Sequence, residues 1–185
     1  MAAAPRIVGL ELKAVHVNPW LDWVFVHVLT DNGPALRGLG ELEIGGLASG
    51  PRAERTLACL ATIGRELVGS DPRNVVQLTA PLLARGKAPP PEAGAGKDAD
   101  KTWLVAVSAV EQGLWDILGK TLGKPVYALL GGSWQGAGYG LRLYANINRI
   151  TRNAEERTPE LFARNAARAV TAGHSRGLHN PYLLL

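Results

Sequence analysis

Residues 106–120, AVSAVEQGLWDILGK, and residues 122–132, LGKPVYALLGG, decide the reading of this chain. Val107, Val110, Leu114, Ile117/Leu118 and Leu122 recur at three and four residues, which is the apolar stripe of an amphipathic helix. Lys120 follows Asp116 at i,i+4, a modest surface pair, and Gly123 ends the helix. A short helical turn is expected over 125–130.

The chain upstream of this helix reads as strands and then helices. Val8, Leu10, Leu12 and Ala14 alternate with Glu11 and Lys13, the period of two of a half-buried strand. A loop over 18–22 separates it from a second strand, Val24 to Leu29, and Asn32-Gly33 reads as a tight hairpin turn into a third strand from Leu36 to Leu42. Pro51 suits a first helical position, and Leu57, Leu60, Ala61, Gly64 and Leu67 give that helix its stripe. Asp71-Pro72 opens another helix, which Pro81 must kink or end. Residues 86–101 are too rich in Pro, Gly, Ala and charge to bury anything and read as a surface loop.

Downstream, a Gly-rich linker over 131–140 leads to a strand over 141–147 and a helix with Thr158 as N-cap and Pro159 in its first turn. Phe162, Ala166, Ala169 and Val170 form its apolar stripe, and Gly173 closes it. The whole order is an α+β arrangement, strands and helices followed by a new strand–helix unit.

With 185 residues, 46% hydrophobic and 19% charged, the chain can build a sizeable core, which excludes disorder throughout. One cysteine, Cys59, cannot make an intramolecular disulfide or a Cys-rich zinc site, and points to a reducing compartment. No apolar run is long enough to span a membrane, so the expected location is cytoplasmic. The net charge of +4 comes from residues 141–185, where seven Arg face three Glu. Those Arg are spread over a strand, a loop and a helix and not clustered with aromatics on one face, which argues against nucleic-acid binding.

Several apparent motifs fail on context. Gly119-Lys120-Thr121 ends a helix instead of opening one, and Leu114 stands where a phosphate loop needs its first glycine. Gly136, Gly138 and Gly140 precede a strand, where a dinucleotide fingerprint must follow one. Ser133 lacks the second glycine of a nucleophile elbow. His16, His27, His174 and His179 form no close metal-binding pair, and Glu41 and Glu43 share one strand face that is either a solvated edge or an acid–base pair. Trp20, Asp22 and Trp23 stand out more: two indoles and a carboxylate between strands either close over a ligand or form a satellite cluster.

The run over 106–132 closely resembles the mandelate racemase/muconate-lactonizing branch of the enolase superfamily. Thr30-Asp31-Asn32-Gly33 before Gly38-Leu39-Gly40-Glu41, the Val68-Gly69-Ser70-Asp71-Pro72 helix end, and Leu143-Tyr144-Ala145-Asn146 support it. The resemblance implies a capping domain over 1–133, a three-stranded antiparallel sheet plus helices, and a linker and the first βα unit of an incomplete (β/α) barrel over 134–185. It implies that segments 18–23 and 43–49 lid a pocket, with Trp20, Asp22, Trp23 and Asn146 as substrate-binding residues and a small carboxylate or sugar acid as substrate. A homo-oligomer is compatible with it.

In such enzymes, dehydratases or racemases, a Lys or His base takes the proton α to a carboxylate while acidic ligands hold Mg²⁺ against the enediolate. This chain offers no candidate for those roles: no catalytic residue and no metal ligand is assigned. After Gly173 it reads HSRGLHNPYLLL, without the basic lysine and without the apolar, β-branched run of a buried parallel strand, so no second barrel strand is expected. Only 45 residues run from Leu141 onward, against about 250 for a complete barrel. The expectation is an N-terminal portion of such an enzyme, cut short and inactive alone; the alternative is a non-catalytic binding or dimerisation module that keeps the capping domain.

Overall fold

A computed structural model describes residues 4–18, 21–42, 48–95, 99–132, 145–147, 158–174 and 177–178. The chain divides into two compact units, Met1–Ser133 and Trp134–Leu185.

In the first unit, strands β1 (Ile7–Asn18), β2 (Leu21–Thr30) and β3 (Gly38–Leu42) form an antiparallel sheet in the order β1-β2-β3. Alternation assigns the faces: Val24, Val26, Val28 and Leu42 are buried, while Trp23, Leu39 and Glu41 are exposed on the opposite side. Asn18 pairs with Leu21, so the expected loop over 18–22 is largely strand. Asn32-Gly33 is no two-residue hairpin turn. Asn32 has φ −77°, where a primed turn needs a positive value, and the chain passes through a 3-10 turn, Gly33–Leu36, before β3 begins at Gly38.

Helices α1 (Pro51–Leu67), α2 (Val75–Arg85) and α3 (Ala99–Leu122), followed by the short α4 (Val126–Leu129), complete this unit. α1 begins at Pro51 as expected, but its stripe is rotated: Thr56, Cys59 and Ile63 face the core and Ala61 is exposed. Asp71 opens no helix, because its carboxylate is taken by the Arg73 amide and guanidinium, and α2 starts at Val75. Pro81 lies inside α2 without ending it. Pro81 is exposed, so the Gln77 carbonyl that loses its helical donor lies where water can take its place.

α3 is longer than its stripe suggested. It begins at Ala99 and adds Trp103 and Ala106 to the buried Val107, Val110, Leu114 and Ile117, while Leu122 is exposed. The expected surface loop over 86–101 also contributes to the core: Ala93, in a 3-10 turn Pro91–Ala93, is 1% exposed, as is natural for a methyl group on a turn packed against α1. The Trp103 indole N–H donates to the Leu82 carbonyl at 2.7 Å, one of the carbonyls left open where α2 ends. Arg85 stacks over the same ring at 5.2 Å and forms a forked pair with Glu66, at 2.6 and 3.0 Å, linking α1, α2 and α3.

The four-residue spacing of polar residues on α3 has a structural purpose. Gln112, Asp116 and Lys120 stand four residues apart on one helix face. The Glu41 amide donates to Gln112 Oε1 (3.2 Å), the Leu39 amide to Asp116 Oδ2 (2.9 Å), and Lys120 Nζ donates to the Arg37 carbonyl (2.7 Å) and to Asp116 (2.6 Å). These side chains therefore cap the outer edge of β3, which a bare edge strand would leave open to association. The approach needs glycine: a Cβ at Gly38 would stand 1.9 Å from the Gly113 carbonyl oxygen, and one at Gly40 1.8 Å from that of Ala109.

In the second unit, β4 (Ala145–Asn146) and β5 (Gly177–Leu178) pair in parallel, with α5 (Pro159–Thr171) between them in sequence. The strand expected over 141–147 is thus described only at 145–146, with 141–144 outside the described residues. The tail expected to form no strand does pair, over two residues, because parallel pairing needs only backbone groups and not a β-branched run. The Leu161 amide donates to Thr158 Oγ1 at 3.3 Å, the expected N-cap. The helix stripe differs from expectation: Asn165 is buried and Val170 is 70% exposed.

Candidate functional site

The end of the β1–β2 hairpin carries two of the sequence-predicted residues, Asp22 and Trp23. The pairing that turns the chain at Asn18 and Leu21 puts His16 opposite Asp22. His16 Nδ1 lies 2.7 Å from Asp22 Oδ1, and the Ala48 amide donates to the other carboxylate oxygen, Oδ2, at 2.6 Å. One carboxylate thus fastens the chain that follows β3 to the end of the hairpin. The Ala48 amide, and after it His16, hold the Asp22 carboxyl below the ordinary aspartate range. Both segments that the resemblance made into lids therefore meet at Asp22, although 43–47 and Trp20 lie outside the described residues.

Asp22 and Trp23 are not brought to one surface. Neighbours on a strand point to opposite faces: Asp22 lies on the side of Val24, whereas Trp23, 49% exposed, stands opposite Val15 on the outer face. An indole half in water at a hairpin end can contact a ligand or a neighbouring segment. Asp22, with each oxygen already accepting or sharing a proton, acts on that rim by holding it in place.

Asn146, the fourth residue singled out, is the last residue of β4, is half-buried, and has a hydrogen-bonding or electrostatic partner of its own. The C-terminal end of a parallel strand is where barrel enzymes place residues that face substrate. Glu41 is exposed on the outer face of β3; Glu43 is outside the described residues. His27 also faces outward from the sheet, with its Nδ1 buried and without a partner, and desolvation first, then the Arg37 charge, lower its pKa. Among the described residues no three His, Cys, Asp or Glu side chains converge.

Two partners of the site escaped the sequence reading. His16 was not findable from turn length, because the register shifts between His16 and Asn18, and only that irregularity sets His16 opposite Asp22. Nor was the Ala48 contribution, since a backbone amide carries no side-chain signal. No helix among the described residues is long and apolar enough to cross a membrane.

Comparison with known proteins places this geometry in a family. Residues 9–131 match the sequence model of the mandelate racemase/muconate lactonizing enzyme, N-terminal domain. The D-galactonate dehydratase of Xanthomonas euvesicatoria pv. vesicatoria (strain 85-10) is 37% identical over 122 residues, 66% of this chain and 27% of the relative. That of Ralstonia nicotianae (strain ATCC BAA-1114 / GMI1000) is 36% identical over 110 residues, 60% of this chain and 25% of the relative. The chain spans about a quarter of the length of these curated relatives.

Among solved structures, a mandelate racemase/muconate lactonizing enzyme-like protein from Rubrobacter xylanophilus DSM 9941 superposes with a TM-score of 0.70 at 30% identity, over 95% of this chain and 42% of that one. A member of the enolase superfamily from Salmonella Typhimurium does so with a TM-score of 0.68 at 26% identity, over 92% and 41%. The sheet, the helix carrying Gln112, Asp116 and Lys120, and a family match that runs through all of them agree: this chain belongs to the mandelate racemase/muconate lactonizing enzyme family, of which it carries the N-terminal domain.

Proposed function

We propose that residues 1–133 serve as the capping domain, and 134–185 as the linker and opening strand–helix unit, of an acid-sugar dehydratase that acts on a small sugar acid in the cytoplasm. The observation that carries this reading is the Asp22 carboxylate, which ties the hairpin tip to the segment ahead of α1 and so builds one rim from two parts of the chain. The dehydratase relatives supply the reaction class, and the lone buried thiol of Cys59 supports a reducing compartment.

In this role the chain's residues enclose and orient. Trp20 and Trp23 contribute indole surface to the closed complex, Asp22 and His16 fix the rim, and the Asn146 amide contacts substrate from the end of β4. Closure excludes water and strengthens every charge interaction beneath it. Proton abstraction, and the Mg²⁺ that stabilises its product, are assigned to barrel residues that lie outside this sequence. The isolated chain is accordingly expected to turn over no sugar acid.

The test is a chimera joining residues 1–133 to the barrel of the Xanthomonas relative, assayed on a panel of sugar acids beside the unjoined 185-residue chain. Expected are dehydration by the chimera alone and, for Trp20→Ala or Trp23→Ala, a several-fold rise in KM with an unchanged melting temperature. Two results would overturn the proposal: dehydration by the unjoined chain, or a folded, active chimera whose substrate profile ignores both tryptophans.

A further inference from the structure

The two edges of the three-stranded sheet are treated differently. β3 is capped by Gln112, Asp116 and Lys120, whereas among the described residues β1 pairs only with β2. The start of β1 is occupied, since the Ile7 amide and carbonyl bond to Ser70 and Gly69. From Gly9 to Val15, no described residue pairs with its outer edge. This stretch contains no proline and no charge on its inward face, two of the defences of an edge strand; its charges, Glu11 and Lys13, stand on the outer face. Its inward-facing Leu12 is 41% exposed, beside an open apolar cavity of about 380 Å³ whose lining includes Leu10, Leu12, Leu57 and Ala61. β1 and α1 thus leave an apolar step next to an unpaired backbone.

The sequence of that edge is complementary to itself. An antiparallel copy centred on Leu12 puts Leu12 opposite Leu12, Leu10 opposite Ala14, and Gly9 opposite Val15. On the outer face the same register sets Glu11 opposite Lys13 twice, once on each side of the two-fold axis. Within one strand these two side chains are only loosely paired, at 4.0 Å and about half exposed. A two-fold contact of this kind is isologous and closes, so it ends at two chains. We propose that two copies of this chain dimerise through residues 9–15 of β1, joining their sheets into one of six strands, with Leu12 of each copy covering the apolar step of the other.

The charge arrangement gives a test that identifies the register. Sedimentation velocity on the full 185-residue chain between 1 and 100 µM is expected to show a monomer–dimer equilibrium. Glu11→Lys sets Lys opposite Lys, and Lys13→Glu sets Glu opposite Glu. Each is expected to weaken the dimer at least ten-fold, and the double swap is expected to restore it. Lys13 is exposed and Glu11 half-buried on the outer strand surface, and circular dichroism checks that the fold survives. Independently, Leu12→Cys is expected to form an intermolecular disulfide under mild oxidation, whereas Ala14→Cys is not. A monomer at every concentration, a self-association that the double swap fails to rescue, or equal cross-linking at 12 and 14 would each overturn the proposal. The substrate assays of the chimera are independent of it.

Discussion

Asp22 carries two attachments with one carboxylate, and its ionisation is therefore linked to the rim it holds. A carboxyl whose folded pKa is depressed stabilises the fold fully above its unfolded value, about 3.9, and loses that contribution as pH falls through the lower folded value. The Ala48 amide should accordingly keep its protection from hydrogen exchange at pH 5 and lose it selectively as pH falls below the ordinary aspartate range, before the core melts. Asp22→Asn should exchange faster at Ala48 already at pH 7. Cys59 presents the opposite case. Burial pushes its thiol up to about 11, so native protein should resist a thiol-directed reagent at pH 8 and react fully in denaturant. Labelling at the native rate of an exposed thiol would show that α1 is not seated.

The junction of β3 with α3 depends on two glycines. Gly38→Ala or Gly40→Ala would place a methyl group inside the van der Waals envelope of a helix carbonyl, so the strand must retreat and strain the bonds to Gln112, Asp116 and Lys120. Overpacking of this kind costs about 1–3 kcal/mol, to be read as a lowered urea midpoint at unchanged slope. Gly9→Ala, where a Cβ meets nothing, is the control and should leave the midpoint in place.

Legibility differs among the elements for physical reasons. α3 was readable because its apolar stripe is periodic. The helix stripes drifted where small or polar residues sit at the core: Thr56 and Cys59 in α1, Asn165 in α5. Hydropathy ranks Ala61 and Val170 above such residues, whereas packing geometry decides. Ala93 was invisible, since a Pro-Gly-Ala segment has no period. At the site, residue types drew attention to Trp20, Asp22 and Trp23, but only the register shows that Asp22 faces inward and Trp23 outward. β5 is marked by its backbone pairing, which leaves no mark on composition.

At the scale of the molecule, the two units differ in what they can sustain alone. The buried apolar core of the first runs from Ile7 to Ile117 and includes Trp103, whose indole is both fully buried and hydrogen-bonded. Among the described residues, the second offers a parallel pair of two-residue strands and a helix whose one buried residue is Asn165. A pair of strands that short is not independently stable in water, whereas a sheet of three strands backed by helices is. A chain ending at Ser133 should therefore unfold in one cooperative transition, with a midpoint within a few degrees of the full chain's. Hydrogen exchange on the full chain should find the slowest amides over 103–117 and fast exchange at 145–146 and 177–178. If removal of Trp134–Leu185 abolished the cooperative transition, or if the β4–β5 amides were protected as strongly as those of α3, the first unit would depend on the second for its stability.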